Sequence, residues 1–357
     1  MYFPKLQYFP LNWVEGMFLN AGHFQHADNY MDEVLRDARL TAMCLGTYGL
    51  LPNSEFRIKL GAGAMPGMVR LVLESCRAIM PAGHRIEILA DNVSRLSIPM
   101  EYPTTEFVPS PSLRYAIYLC ADLNEKMAVG LPVERPVRNP YLMTKLYLEV
   151  VQMGQTVSGF APNRLKIGEW ENGKISAEYI PPTLILSGNP KLLEKHQMFQ
   201  TKMDGIVVSS MQIMDAFRTQ DSAKVNFCQP LIQFIRSSWG QYRWQLPMQP
   251  PSAWVVYFGD FAGLVKSLVE VGERDFVKNT LKDGNLHDLL RSVHELLGLR
   301  SIVPEEMARV IVLMGRFLES LSLTLETLKG KQQIIVTHGQ NQNANQRANP
   351  GNIKLGG

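Results

Sequence analysis

The chain has 357 residues, 46% of them hydrophobic and 19% charged, enough to bury a sizeable core and to divide into two domains. Its 36 basic and 33 acidic residues leave a formal charge of +3 with no run of Lys or Arg, which argues against a phosphate-binding stripe and against nucleic acid as a partner. Cys44, Cys76, Cys120 and Cys228 stand too far apart for a C-x-x-C site and mostly among apolar neighbours, as buried free thiols of a reducing compartment do, so the expected location is the cytoplasm.

The opening stretch to Met17 contains Pro4, Pro10 and Glu15 and lacks a basic flank followed by an apolar run, so it does not read as a secretory signal. From Asn20 to Leu45, Phe24, Ala27, Met31, Val34 and Ala38 recur at three- and four-residue steps, with Gly46 as a C-terminal stop, and predict one amphipathic helix. His23 and His26 lie three apart on it, but no third ligand at fixed spacing accompanies them, so a capping or packing role is expected ahead of a metal site. Asp28 and Asp32, with Arg36 one turn further on, read as a solvated face with i,i+4 ion pairing and not as paired carboxylates for acid/base work.

Beyond Pro52 the texture changes to short alternating or β-branched runs, Phe56 to Leu60, Met68 to Leu73, Arg85 to Leu89, Leu113 to Leu119 and Leu146 to Val151, separated by Gly, Pro and Asn. These predict the strands of a sandwich or barrel. The glycine-rich Gly61 to Gly67 follows a strand but leads into another strand, which makes it a turn and not a phosphate-cradling loop. Arg164 to Trp170 and Lys174 to Tyr179, joined across Glu171-Asn172-Gly173, predict a hairpin, because Asn-Gly supplies the positive φ angles of a tight turn. Pro181 and Pro182 end the pattern.

After Pro190 the period becomes helical, with Asn189 as the expected N-cap. Leu192, His196, Phe199, Met203, Ile206, Ser210, Ile213 and Phe217 form one seam at alternating steps of four and three, and Met307, Ile311, Met314, Leu318, Leu321, Leu325 and Leu328 form a second. Two destinations are open for the first seam: a coiled contact between copies of the chain, or packing against the second seam within one chain. His196 and Ser210 interrupt it as tolerated polar residues or as register-setting ones, and many of the 18 methionines fall on seams, as core fillers do. Shorter helices are expected around Trp254 to Val269 and Leu286 to Leu297. The apolar stretches at Trp254 to Val265 and Val310 to Met314 are interrupted too early for a membrane span, so no direct membrane insertion is expected. From Gly339 the chain is rich in Asn, Gln and Gly, and residues 339–357 are expected to be disordered. With no Gly-x-Ser-x-Gly, His-Glu-x-x-His or Walker loop, no catalytic, metal or cofactor-binding residue is assigned, and the chain is expected not to be an enzyme.

These readings give an α+β chain: a leading helix and β-sandwich over residues 1–182, a helical bundle over 189–330, and a tail. Trp13-Val14-Glu15-Gly16-Met17-Phe18-Leu19-Asn20-Ala21-Gly22-His23-Phe24-Gln25 resembles the opening signature of the TssK family of type VI secretion baseplate proteins, a Trp-x-Glu-Gly-Met-x-Leu run leading into a His-Phe-Gln helix. Here Asn20-Ala21-Gly22 replaces the usual small residue, Pro and Gln, with the spacing kept. Tyr179-Ile180-Pro181-Pro182 is similar to the element that in that family closes the β domain. The resemblance covers about residues 1 to 330, and past Leu328 the chain offers no stretch matching the family's head domain.

The resemblance implies a phage receptor-binding-protein-like β shoulder followed by a helical neck, in a homotrimer. It implies a cytoplasmic adaptor at the inner face of the envelope that binds the wedge subunits TssF and TssG and contacts membrane-complex proteins, with no cofactor. A phage-type receptor-binding or tail adsorption protein is the alternative. Trp13, Glu15, Gly16, Met17, Phe18, His23 and Phe24 are the signature positions: their apolar area either staples the chain start onto its own β domain or docks a neighbouring subunit. Leu192, Phe199, Met203, Ile206, Ile213 and Phe217 are the trimer or bundle seam.

Overall fold

The computed structural model describes residues 5–42, 47–53, 55–89, 96–98, 102–134, 137–154, 163–271, 284–299 and 303–345. Cys44, Gly46 and the end of the expected tail, 346–357, lie outside the described residues. The chain is α+β, and it divides into two compact units. The first comprises Met1–Glu194 with the returning segments Trp244–Trp254 and Ser301–Arg309; the second comprises Lys195–Arg243, Val255–Arg300 and Val310–Gly357.

The first unit opens with helix α1 (Ala21–Ala42). An antiparallel sheet follows, in which β1 (Gly49–Leu50), β2 (Arg57–Ala62), β4 (Arg85–Ile88) and β5 (Thr104–Phe107) all pair with the long β3 (Val69–Ile79). A second antiparallel sheet has the order β11-β10-β6-β9, built from β6 (Tyr115–Val129), β9 (Tyr141–Gln152), β10 (Arg164–Glu171) and β11 (Lys174–Ile175), while β7 (Val133–Glu134) and β8 (Val137–Arg138) pair by themselves. Every predicted strand run meets an observed strand. The Asn172-Gly173 turn has φ of 53° and 78°, the two positive values that this tight hairpin turn requires. Leu71, Leu73, Cys76 and Ile86 of the first sheet share one apolar core with Ile117, Leu119, Leu148, Leu165 and Trp170 of the second.

The helices are α2 (Pro190–Phe217), α3 (Ser222–Ser237), α4 (Pro251–Val271), α5 (Gly284–Leu297) and α6 (Met307–Asn345). Asn189 caps α2, its Oδ1 accepting the Lys191 N–H at 2.9 Å, and Asp221 caps α3 through the Lys224 N–H at 3.2 Å. Helix α6 runs through Asn345 and so crosses the start of the segment expected to be disordered. Helix α4 is long and apolar enough to span a membrane by length and composition. Its Phe258, Phe261, Ala262 and Val265 are nevertheless fully buried inside the second unit, as in the core helix of a globular domain.

That unit is built around aromatic contacts. Phe199 meets Phe258 edge-on at 5.6 Å, Phe234 stacks on Phe261 at 4.9 Å, and Phe261 meets Phe317 at 5.3 Å. The first predicted seam is consumed here: Phe199, Met203, Ile206, Ile213 and Phe217 are each at most 6% exposed in the single chain. Ile311, Met314, Leu318, Leu321, Leu325 and Leu328 of the second seam are equally buried. His196 is accommodated without loss of polar pairing: its ring stacks on Tyr242 at 4.3 Å with Nε2 3.0 Å from the Tyr242 carbonyl, and the Tyr242 hydroxyl donates to the His196 carbonyl.

Candidate partner-binding surface

Residues 5–20 run as an extended strap beside α1 and are held to it by polar clips. The Glu33 carboxylate accepts the Gln7 and Tyr8 amides at 2.9 and 3.1 Å, and the His26 ring nitrogen lies 2.9 Å from the Phe9 carbonyl. Tyr8 meets the His26 ring edge-on, and Trp13 contacts the rings of His23 and Phe24. Asn20 caps the helix, its Oδ1 accepting the His23 N–H while its own N–H donates to His23 Nδ1. The two histidines thus serve the cap and the clip, and among the described residues no cluster of three metal-capable side chains exists.

The Glu15-Gly16 pair of the signature has a backbone explanation. The Met17 N–H donates to the Val14 carbonyl across a four-residue turn, and Gly16, its third residue, has φ +77°, the left-handed value a type II turn assigns to glycine at that position. This turn reverses the strap between Trp13 and Phe18 and presents both to solvent.

Helix α1 is mounted with its polar side inward. Glu33, Arg36 and Leu40 are its buried residues, spaced three and four apart. Arg36 pairs with Asp37 at 2.9 Å and Glu33 at 3.8 Å, and Arg39 donates to the Gly83 carbonyl. Gly83, at φ +82°, lets the β3–β4 turn approach so closely that a Cβ there would sit 2.9 Å from the Arg36 carbonyl. Lys126 of β6 ties down the other flank through Asn29 at 2.8 Å and Asp32 at 3.3 Å. In place of the expected Asp32–Arg36 pairing, Asp32 pairs with Lys126 across the fold and Arg36 with Glu33 and Asp37 within the helix. Burial, together with Arg36 and Arg39, pushes the imidazole of His84 in that turn down to about 4.

The consequence is a reversed amphipathic helix. The stripe that the periodicity picks out, Phe24, Met31, Val34 and Ala38, is the outward one, and the strap adds to it: Trp13, Phe18, Phe24, Met31 and Val34 are between 38% and 86% exposed. Phe9, Val14, Leu19 and Leu35 are exposed as well. Met17 and His23 are half-buried, and Glu15 is exposed. Of the signature residues, Trp13 of the strap is brought onto His23 and Phe24 of α1, and Trp13, Phe18 and Phe24 stay open to solvent, where single exposed apolar residues are ordinary and a run of this density is not. Sequence reasoning named Val14 and Leu19 within the signature run but did not single out Phe9 and Leu35, although the closeness of Leu35 to Val34 was a usable signal. The clip residues Glu33 and Lys126 carried none, and Arg36 was read as an i,i+4 partner of Asp32 on a solvated face.

The Tyr179-Ile180-Pro181-Pro182 element has a separate task in the first unit. The Leu50 N–H donates to the Pro182 carbonyl at 2.8 Å and the Leu184 N–H to the Leu50 carbonyl at 3.0 Å, so the element lies along β1. Gly49, at φ +119°, is required there, since a Cβ would fall 2.1 Å from the Pro182 oxygen. Pro181, Pro182 and Thr183 line a small cavity with Leu192, Pro251, Ser252, Pro304 and Met307, which seats the starts of α2, α4 and α6. Leu192 thus belongs to this anchor, apart from the rest of its seam. Beside it the Tyr48 hydroxyl donates to Glu305, and burial first, then that carboxylate, pushes the Tyr48 phenol well above its usual range.

No family model matches the chain, and no curated protein matches it. Solved structures do. A crystal structure of TssK is 16% identical with a TM-score of 0.53, covering 89% of this chain and 69% of that one. A TssK-TssF-TssG baseplate subcomplex of the type VI secretion system is 13% identical with a TM-score of 0.52, covering 88% and 99%. A baseplate complex from the type VI secretion system is 14% identical with a TM-score of 0.54, covering 90% and 100%.

Proposed function

We propose that this chain, whose fold is that of TssK, is a structural subunit of a type VI secretion baseplate that works by binding alone. The observation that carries the reading is the outward apolar face of the strap and α1. In this reading the two sheets with a common core form a β-sandwich shoulder, and the helices form a bundle-like neck. Trp13, Met17, Phe18 and Phe24 present the docking surface, Gly16 and His23 fix its turn and cap, and Glu15 stands at its rim.

The partners in this reading are wedge subunits of the TssF and TssG kind, since one of the solved neighbours is a TssK-TssF-TssG subcomplex. The joint is firm because a homotrimer repeats each moderate interface three times. With the α2 seam buried inside the chain, a trimer uses other faces of the helices or of the first unit. The assembly sits on the cytoplasmic face of the envelope, in reach of membrane-complex proteins. Purification from the native cell tests this: recovery of sheath and wedge proteins in stoichiometric amounts is expected, and recovery of an outer-surface receptor or glycan in their place overturns it in favour of an adsorption protein.

A further inference from the structure

The exposed stripe of α1 has a definite geometry. Phe24, Ala27, Met31, Val34 and Ala38, exposed except for the half-buried Ala27, succeed one another at steps of three, four, three and four, and at 1.5 Å per residue they span about 21 Å of helix. A seam of this width and period suits the contact line of one helix on another. The helix cannot roll to hide it, because Glu33, Arg36, Arg39 and the Lys126 contacts to Asn29 and Asp32 hold the opposite side.

The charges around the stripe decide what covers it. Both arginines of α1 are turned to the chain itself, Arg36 buried on Glu33 and Asp37 and Arg39 on the Gly83 carbonyl. Their acidic neighbours are left outside: Asp28, Asp32 and, on the strap, Glu15 are exposed, against the exposed cations Lys5 of the strap and Lys126 of β6. Asp32 is shared with Lys126, whereas Asp28 and Glu15 have no ion-pair partner among the described residues. An acidic rim around an apolar seam repels anionic lipid and nucleic acid, and repels a second copy carrying the same rim.

We propose that the α1 stripe docks a cationic amphipathic helix of a different protein, with apolar side chains at three- and four-residue steps and Lys or Arg flanking them. The proposal rests on the baseplate reading only for where that helix is met; the chemistry follows from the face itself.

The test places p-benzoyl-phenylalanine at position 31 or 34 of the full chain in its native cell, with photo-crosslinking and sequencing of the captured segment by mass spectrometry. The expected capture is a segment of another protein with a three/four apolar repeat and a net positive charge. Capture of the chain's own sequence, of a neutral or acidic segment, or of nothing at both positions overturns the proposal. Asp28→Lys, at an exposed side chain with nothing to lose inside the fold, is expected to lower the crosslinking yield about tenfold, and an unchanged yield overturns the charge argument. If the captured segment has the stated chemistry but belongs to no wedge subunit, the face stands and the baseplate reading fails. If wedge proteins co-purify while both positions stay silent, the outcome is the reverse.

Discussion

Helices α1 and α2 carry the same kind of pattern, apolar residues at alternating steps of three and four, and use it in opposite ways. In α2 the seam from Phe199 to Phe217 is at most 6% exposed and packs inside the helical unit. In α1 the corresponding residues face solvent, and the buried side is Glu33, Arg36 and Leu40. A polar side can be buried when each charge finds a partner, and here Glu33 takes two strap amides and Arg36 two carboxylates. Period therefore identifies a stripe but not its occupant: the α2 stripe is filled by the chain itself, and the α1 stripe is left open.

The comparison breaks first on α2. Phe199→Ala empties a site enclosed by Phe258 and the Gly315 backbone, and is expected to cost about 3 to 5 kcal/mol of unfolding free energy in urea titration. A loss below 1 kcal/mol, on the order of a surface substitution, would mean that the seam is not the core of the unit.

The underside of α1 makes the next largest claim. His84 has its pKa lowered to about 4, against 6.5 when free, by burial and by Arg36 and Arg39. Between these values the unfolded chain binds the proton and the folded chain does not, so this contribution is full above pH 6.5 and is lost as pH falls toward about 4. The loss amounts to about 3 kcal/mol at roughly 1.4 kcal/mol per pH unit. His84→Gln is expected to flatten that slope, measured by denaturation between pH 7 and 4; an unchanged slope would place the acid sensitivity elsewhere.

Smaller again is the anchor of the helix starts. Tyr48→Phe deprives Glu305 of its hydroxyl donor and is expected to cost about 1 to 3 kcal/mol, with a matching drop in melting temperature. Glu305→Gln in the same background should then add little, because the pair is already broken.

The fold was readable wherever local chemistry decides conformation. Alternation placed the strands, Asn172-Gly173 the hairpin, Asn189-Pro190 the start of α2, and the three/four rule both seams, with the TssK-like outline resting on a short run of residues. The contacts that make α1 a mounted surface were not readable. Glu33 to Gln7, Arg39 to Gly83 and Lys126 to Asp32 join residues 26 to 94 positions apart, and nothing in their local spacing announces a partner. For the same reason the signature could be recognised while its orientation, onto its own β domain or away from it, could not.

The smallest expected effect on stability is the sharpest test of the comparison. Phe18 is 86% exposed, so Phe18→Ser removes almost no area that folding takes out of water. Val34, on the open stripe, behaves alike, since Val34→Ser trades one exposed apolar group for a polar one. Each is expected to leave the urea midpoint within about 0.5 kcal/mol of the parent, as surface positions do. Were the strap a staple onto the chain's own core, both would destabilise measurably. If the face is an interface instead, both should weaken recovery of the partner from the native cell while the folded protein melts as before. That combination, intact folding with lost recovery, separates α1 from α2, where Phe199→Ala reduces folding and any binding together. Loss of stability in either variant without loss of binding would reverse the assignment and return the stripe to the chain's own core.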